Sequence, residues 1–157
     1  MKSLTLLRHA KSEQDSPDGT DIARSLNERG RSDARRMGEE MRKLGLNYDL
    51  VLASPAQRVI ETLEAVGGLS ERFDDRIYNA PMTELMSLIE VIDDDIDRLM
   101  LVGHNPGFER LAGRLTGSAV DFPTGALVEI ELPIDHWRDA GEGNGRLVRF
   151  LRPKELA

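Results

Sequence analysis

The nucleophilic and acid–base repertoire of this 157-residue chain is narrow: three histidines, His9, His104 and His136, and no cysteine. Two of the three imidazoles directly follow a short aliphatic run. Leu4 to Leu7 ends on Arg8-His9, and Leu99 to Val102 ends on Gly103-His104. A third run of the same kind, Leu50 to Ala53, ends on Ser54-Pro55, with Arg58 shortly after it. Two imidazoles and two guanidiniums therefore sit near the ends of three apolar segments. Guanidiniums hold phosphoryl oxygens by planar, charge-assisted hydrogen bonds. A neutral imidazole is a competent nucleophile at neutral pH, since its unperturbed pKa is about 6.5. Arginine charge beside His9 opposes its protonation and keeps a lone pair available. His104 can donate hydrogen bonds as charge builds on a transferring group. The chemistry this set suggests is covalent phosphoryl transfer with His9 as the nucleophile.

Other chemistries fit the residues less well. His9, His104 and a carboxylate could ligate a metal, since imidazole is a common nitrogen ligand, but Arg8 and Arg58 would repel a dication. There is no Gly-rich Walker loop, no dinucleotide fingerprint and no Gly-x-Ser-x-Gly elbow. His136, in the polar stretch Asp135-His136-Trp137, reads as a surface residue. Asp93, Asp94, Asp95 and Asp97 read as a solvated turn, lacking the glycine and glutamate of a calcium loop.

The elements that must position the four residues follow from periodicity. Leu4–Leu7, Leu50–Ala53 and Leu99–Val102 are too short and too apolar for anything but buried strands. Ala34, Met37, Met41 and Leu44 recur at helical spacing, and Gly45 stops that helix. Ser54-Pro55 reads as an N-cap with proline in the first turn, followed by a face of Val59, Ile60, Leu63 and Val66. Ile77-Tyr78 reads as a short strand. Leu85, Leu88, Ile89 and Ile92 form another helical face, as do Phe108, Leu111, Ala112 and Leu115. Buried strands alternating with helices imply a parallel sheet covered on both sides, with ligands at the carboxyl ends of the strands. Residues 126–132 and 147–151 alternate with period two across a glycine-rich turn and read as an antiparallel hairpin on the sheet edge. Lys11 to Asp21, with turn chemistry at Pro17-Asp18-Gly19, is a loop beside the site.

Size and composition bound the rest. A chain of this length with 39% hydrophobic and 31% charged residues is read as one domain, residues 1–157, with an aliphatic core, since only 4% is aromatic. The net charge of −7 argues against nucleic-acid binding. Without cysteine, and without an apolar run long enough for a signal peptide or a membrane span, a cytoplasmic location is expected.

Leu7-Arg8-His9-Ala10-Lys11-Ser12, the stretch Ser54-Pro55-Ala56-Gln57-Arg58-Val59-Ile60-Glu61-Thr62 and Gly103-His104-Asn105-Pro106 resemble the motifs of the histidine phosphatase superfamily. With Leu26-Asn27-Glu28-Arg29-Gly30, the likeness is greatest to its small SixA-like phosphohistidine phosphatase branch. The resemblance implies a three-layer α/β/α sandwich with a mixed, mainly parallel sheet, the phosphoglycerate mutase-like fold. It implies His9 as nucleophile, a phosphate pocket of Arg8, Arg58 and His104, a further contact from the Asn105 backbone, and no cofactor or metal. Ala10 stands where the superfamily usually has glycine, and Asp15 where larger relatives often have a phosphate-binding asparagine. A general acid is not singled out: Glu84, Asp15 and Asp21 are the candidates. An acid is dispensable for an N–P bond, because an imidazole leaves more readily than an alkoxide, and the chain has no long insertion to roof the site. The expected substrate is therefore phosphohistidine on a protein. A small-molecule phosphomonoesterase or mutase, and a non-catalytic phosphohistidine-binding protein, are the alternatives.

Overall fold

The computed structural model describes residues 1–156. Six strands, β1 (Lys2–Arg8), β2 (Leu50–Ala53), β3 (Glu71–Phe73), β4 (Arg98–Gly103), β5 (Leu127–Leu132) and β6 (Arg146–Leu151), form one sheet in the order β3-β2-β4-β1-β5-β6. β3, β2, β4 and β1 run parallel, and β5 and β6 add antiparallel at one edge. The sheet is thus mixed and mainly parallel. Its register sets the level at which each strand releases the chain. Arg8 pairs with Gly103 and Ala53 with Val102, so the three central strands end at one level. The chain holds that level one residue further: His9 donates its backbone N–H to the Gly103 carbonyl, and Ser54 to that of Val102, each at 3.0 Å.

Successive strand side chains point to opposite faces, and β1 and β4 are apolar on both. Leu4, Leu6, Leu99 and Leu101 pack with Leu85, Ile89, Phe108 and Leu111 on one side. These last four come from α3 (Met82–Glu90) and α4 (Gly107–Thr116). Leu7, Met100 and Val102 pack on the other side with Ala34, Met37, Val59 and Leu63, from α1 (Glu28–Lys43) and α2 (Gln57–Val66). Every one of these side chains is essentially removed from water, a contribution of roughly 1.5–3 kcal/mol for each large aliphatic. The result is the three-layer sandwich expected from the alternation of buried strands and helices. Asn27 caps α1 by accepting from the Gly30 N–H at 2.8 Å. Gly30 and Gly38 allow α1 its close approaches, since a Cβ at either would lie 2.1 Å from the carbonyl oxygen of Lys11 or Val66.

Local readings differ at three places. Ile77-Tyr78 is not a strand: the edge strand is Glu71–Phe73, and Asp75–Ile77 is a 3₁₀ turn started by Asp74, whose carboxylate accepts from the Arg76 N–H. Ile77 is apolar because it is buried in the core, not because it extends a sheet. Ser54 does not cap α2, which begins at Gln57 with Ala56 as the flanking residue. Leu44 is the exposed C-cap of α1 rather than part of its buried face. The acidic turn is solvent-exposed as expected, with Asp97 pairing with the buried Lys2 at 2.9 Å and Asp94 with His136 at 2.8 Å. β5 and β6 do pair, but the segment between them turns back through Trp137, which is buried and donates its indole N–H to the Ile96 carbonyl. Among the described residues no helix is long and apolar enough to cross a membrane.

Candidate active site

The carboxyl ends of β1, β2 and β4 open onto a cavity of about 330 Å³ lined by Arg8, His9, Arg58, His104, Asn105 and Asp21, among others. All five residues expected from the sequence to form the pocket meet there, although positions 9 and 104 directly follow different strands and 58 lies on a helix. The His9 and His104 rings are 5.4 Å apart between centroids and tilted by 57°. Arg58, in the first turn of α2, brings its Nη2 to 3.3 Å from His104 Nδ1.

Hydrogen bonding decides the state of each ring. His9 Nδ1 lies 2.7 Å from the Ala10 carbonyl oxygen. A carbonyl only accepts, so Nδ1 carries the proton and Nε2 presents its lone pair to the cavity. His104 faces the opposite demand. Arg58 only donates, so Nδ1 of His104 accepts and its Nε2–H is directed to Ser54 Oγ at 2.7 Å. Burial pushes His9 down to about 4, with Arg58 and Arg8 adding to the effect against the carbonyl of Ala10. Burial likewise pushes His104 down to about 3, helped by His9 and Arg58. Both imidazoles are therefore neutral at pH 7.

The arginines are held but incompletely used. Arg8 Nη1 donates to the Phe122 carbonyl at 2.9 Å, and Arg58 donates to the Asp21 carbonyl and carboxylate at 2.9 and 3.1 Å. The Nε–H of each is buried with no partner among the described residues. Two unpaired cationic donors are costly away from water. Both guanidiniums line the cavity beside the neutral His9 ring, where their charge favours an anionic group. Thr62 fixes the geometry from behind, its Oγ1 accepting from the Ala10 N–H and donating to the Arg58 carbonyl.

Asn105 lines the cavity, but its side chain is engaged elsewhere, donating to Phe122 and accepting from the Glu109 N–H. Of the three candidate acids, Glu84 and Asp15 are exposed and do not line this cavity. Asp21 does, but hydrogen bonds from Tyr78 and Arg58 hold its carboxyl well below the usual range, so it is ionised and has no proton to give. His136 is removed from the site and paired with Asp94. Sequence reasoning missed Ser54, Thr62, Arg24 and Tyr78. Ser54 and Thr62 stand in the matched motif around Arg58, a signal that could have found them. Arg24 and Tyr78 carry none.

Known proteins share this fold. The model of the histidine phosphatase superfamily (branch 1) matches residues 4–90. The chain belongs to the histidine phosphatase superfamily. It is 33% identical to an uncharacterized protein of Mycobacterium tuberculosis, over 94% of this chain and all of that one. Among solved structures, a putative phosphohistidine phosphatase SixA from Agrobacterium tumefaciens is 29% identical, with a TM-score of 0.82 over 97% of this chain and 98% of that one. A putative SixA from Nakamurella multipartitia shares the fold at a TM-score of 0.84 and 22% identity, over 97% and 96% of the two chains. These likenesses support phosphatase activity.

Proposed function

We propose that this protein is a metal-independent phosphatase that removes the phosphoryl group from phosphohistidine on another protein, through a covalent phosphohistidine on its own His9. The observation that carries the reading is the meeting, in one cavity, of a tautomerically fixed His9 with the guanidiniums of Arg8 and Arg58.

In this mechanism Arg8 and Arg58 hold the phosphoryl oxygens while Nε2 of His9 attacks phosphorus. The bond from phosphorus to the substrate nitrogen breaks, and its electron pair stays on the departing imidazole. Water then cleaves the His9 phosphoramidate and releases inorganic phosphate. The negative charge of the phosphoryl group raises the proton affinity of His104. Its Nδ1, an acceptor from Arg58 in the free protein, then becomes a donor to a phosphoryl oxygen, stabilising charge where it develops. The substrate class is supported by the ionised Asp21, which leaves no carboxylic acid in the cavity to protonate an alkoxide. It is supported also by the likeness to the Agrobacterium protein described as a putative phosphohistidine phosphatase.

The test is incubation with a histidine-phosphorylated phosphotransfer domain in excess chelator, reading inorganic phosphate. Release by the wild type and not by His9→Ala supports the proposal. Release only from small phosphomonoesters would assign it to those substrates instead, and loss of activity with chelator would remove the metal-independent reading.

A further inference from the structure

Asp21 is the one carboxylate among the residues that line the cavity, and a carboxylate beside a phosphate pocket is unfavourable unless something compensates. It is also unusually well fixed. Oδ2 accepts from Tyr78 Oη at 2.5 Å and from Arg58 Nη2 at 3.1 Å, and Oδ1 accepts from Arg24 Nε at 3.0 Å. Arg24 is braced in turn against Ser12 Oγ and the Glu13 carbonyl. Fixing Arg58 alone would not need this carboxylate, because the Asp21 backbone carbonyl already takes Arg58 Nη1 at 2.9 Å. A carboxylate has about four acceptor positions, and Oδ1 has a single protein donor, so one position remains open on a side chain that is 45% exposed.

Phosphohistidine differs from a phosphate ester in one respect that a fixed anion can read. The ring nitrogen not bonded to phosphorus can take up a proton, and the ring is then a cation that presents N–H, which no phosphate ester offers. We propose that Asp21 is a specificity-determining residue of this site, accepting the N–H of the departing imidazole through Oδ1 and so selecting an imidazole over an alkoxide or phenoxide leaving group. This rests on the function proposed above. Charge and atoms balance when the ring enters protonated: His9 Nε2 forms the new N–P bond, the old N–P bond breaks, its electron pair returns to the departing nitrogen, and a neutral imidazole leaves. The N–H held by Asp21 stays on the ring throughout. The same negative charge disfavours leaving groups that are themselves anionic.

The experiment compares kcat/KM for phosphoimidazole with that for phenyl phosphate, two ring leaving groups of similar size of which only the first can carry a protonated N–H. Wild type, Asp21→Asn and Asp21→Glu are measured, each after subtraction of spontaneous hydrolysis. Asp21→Asn lowers the phosphoimidazole-to-phenyl phosphate ratio by ~10-fold or more, the share of a hydrogen bond to a charged group. Asp21→Glu, which keeps the charge, holds a ratio closer to wild type. A ratio in Asp21→Asn that stays within about threefold of wild type, or increases, overturns the assignment, because loss of Arg58 positioning would depress both substrates together. Equal ratios in the Asn and Glu variants overturn it as well. A wild type inert towards phosphoimidazole and towards phosphohistidine protein, yet active on phenyl phosphate, overturns the proposed function itself.

Discussion

Holding two imidazoles neutral inside the molecule has a consequence for stability that can be measured without any substrate. His104 is buried, and its pKa lies near 3 in the folded protein against about 6.5 for an unfolded histidine. Because the folded value is depressed, the unfolded chain takes up the proton first as pH falls. Stability is then lost progressively below pH 6.5, down to the folded value. Between pH 7.5 and 4.5 this linkage amounts to roughly 2.5 kcal/mol for His104 alone. His9, at about 4 in the folded state, adds a comparable loss over the same range. His104→Asn removes one of the two contributions and leaves the carboxylate titrations in place. Urea unfolding at pH 7.5 and 4.5 should give a wild-type stability loss larger than that of His104→Asn by roughly 2.5 kcal/mol. Sulfate, a dianion across this range, should shrink the difference, because a protonated His104 then has a partner in the cavity. Parallel pH dependence in the two proteins would refute the claim that His104 is held neutral by burial.

Three further outcomes rest on single contacts. Arg58→Lys keeps a charge but loses the planar fork and the buried Nε–H, so the affinity for tungstate or sulfate, read by calorimetry, should fall by about 10-fold or more. Ser54→Ala removes the acceptor of the His104 Nε2–H. It should lower kcat by about 10-fold with a smaller change in KM, and equal changes in both would contradict a role in orienting that ring. Gly30→Ala would drive a Cβ to 2.1 Å from the Lys11 carbonyl oxygen. Urea denaturation should show a loss of about 2 kcal/mol or more, and an unaffected midpoint would mean that α1 can move away from the active-site loop.

Much of the fold was legible because the strands that carry the site are unusually plain. Leu4–Leu7, Leu50–Ala53 and Leu99–Val102 are apolar on both faces, which only a strand buried between two helical layers requires. Their ends on Arg8-His9, Ser54 and Gly103-His104 then made the pocket readable, because parallel neighbours in register bring equivalent ends together. The short edge strand was not legible. Glu71-Arg72-Phe73 is mostly charged and largely exposed, so it has no buried pattern to declare itself, whereas the buried Ile77 imitated one. Ser54 before Pro55 carries an N-cap signature, yet its hydroxyl is turned to His104, and no local rule ranks a tertiary partner 50 residues away above a cap. Asp21 was visible only as one carboxylate among several in a polar loop. Its ionised state depends on Arg58 and Tyr78, 37 and 57 residues away.

The central claim is a covalent bond between phosphorus and His9 Nε2. Rapid acid-free quench of the protein with a ³²P-phosphorylated phosphotransfer domain, followed by base-stable, acid-labile label mapping, tests it directly. The account predicts label on the peptide that contains His9, absent in His9→Ala, and in His104→Asn a label that builds up more slowly. Release of labelled phosphate with no label found on the His9 peptide at any time, or label that persists in His9→Ala, would contradict it.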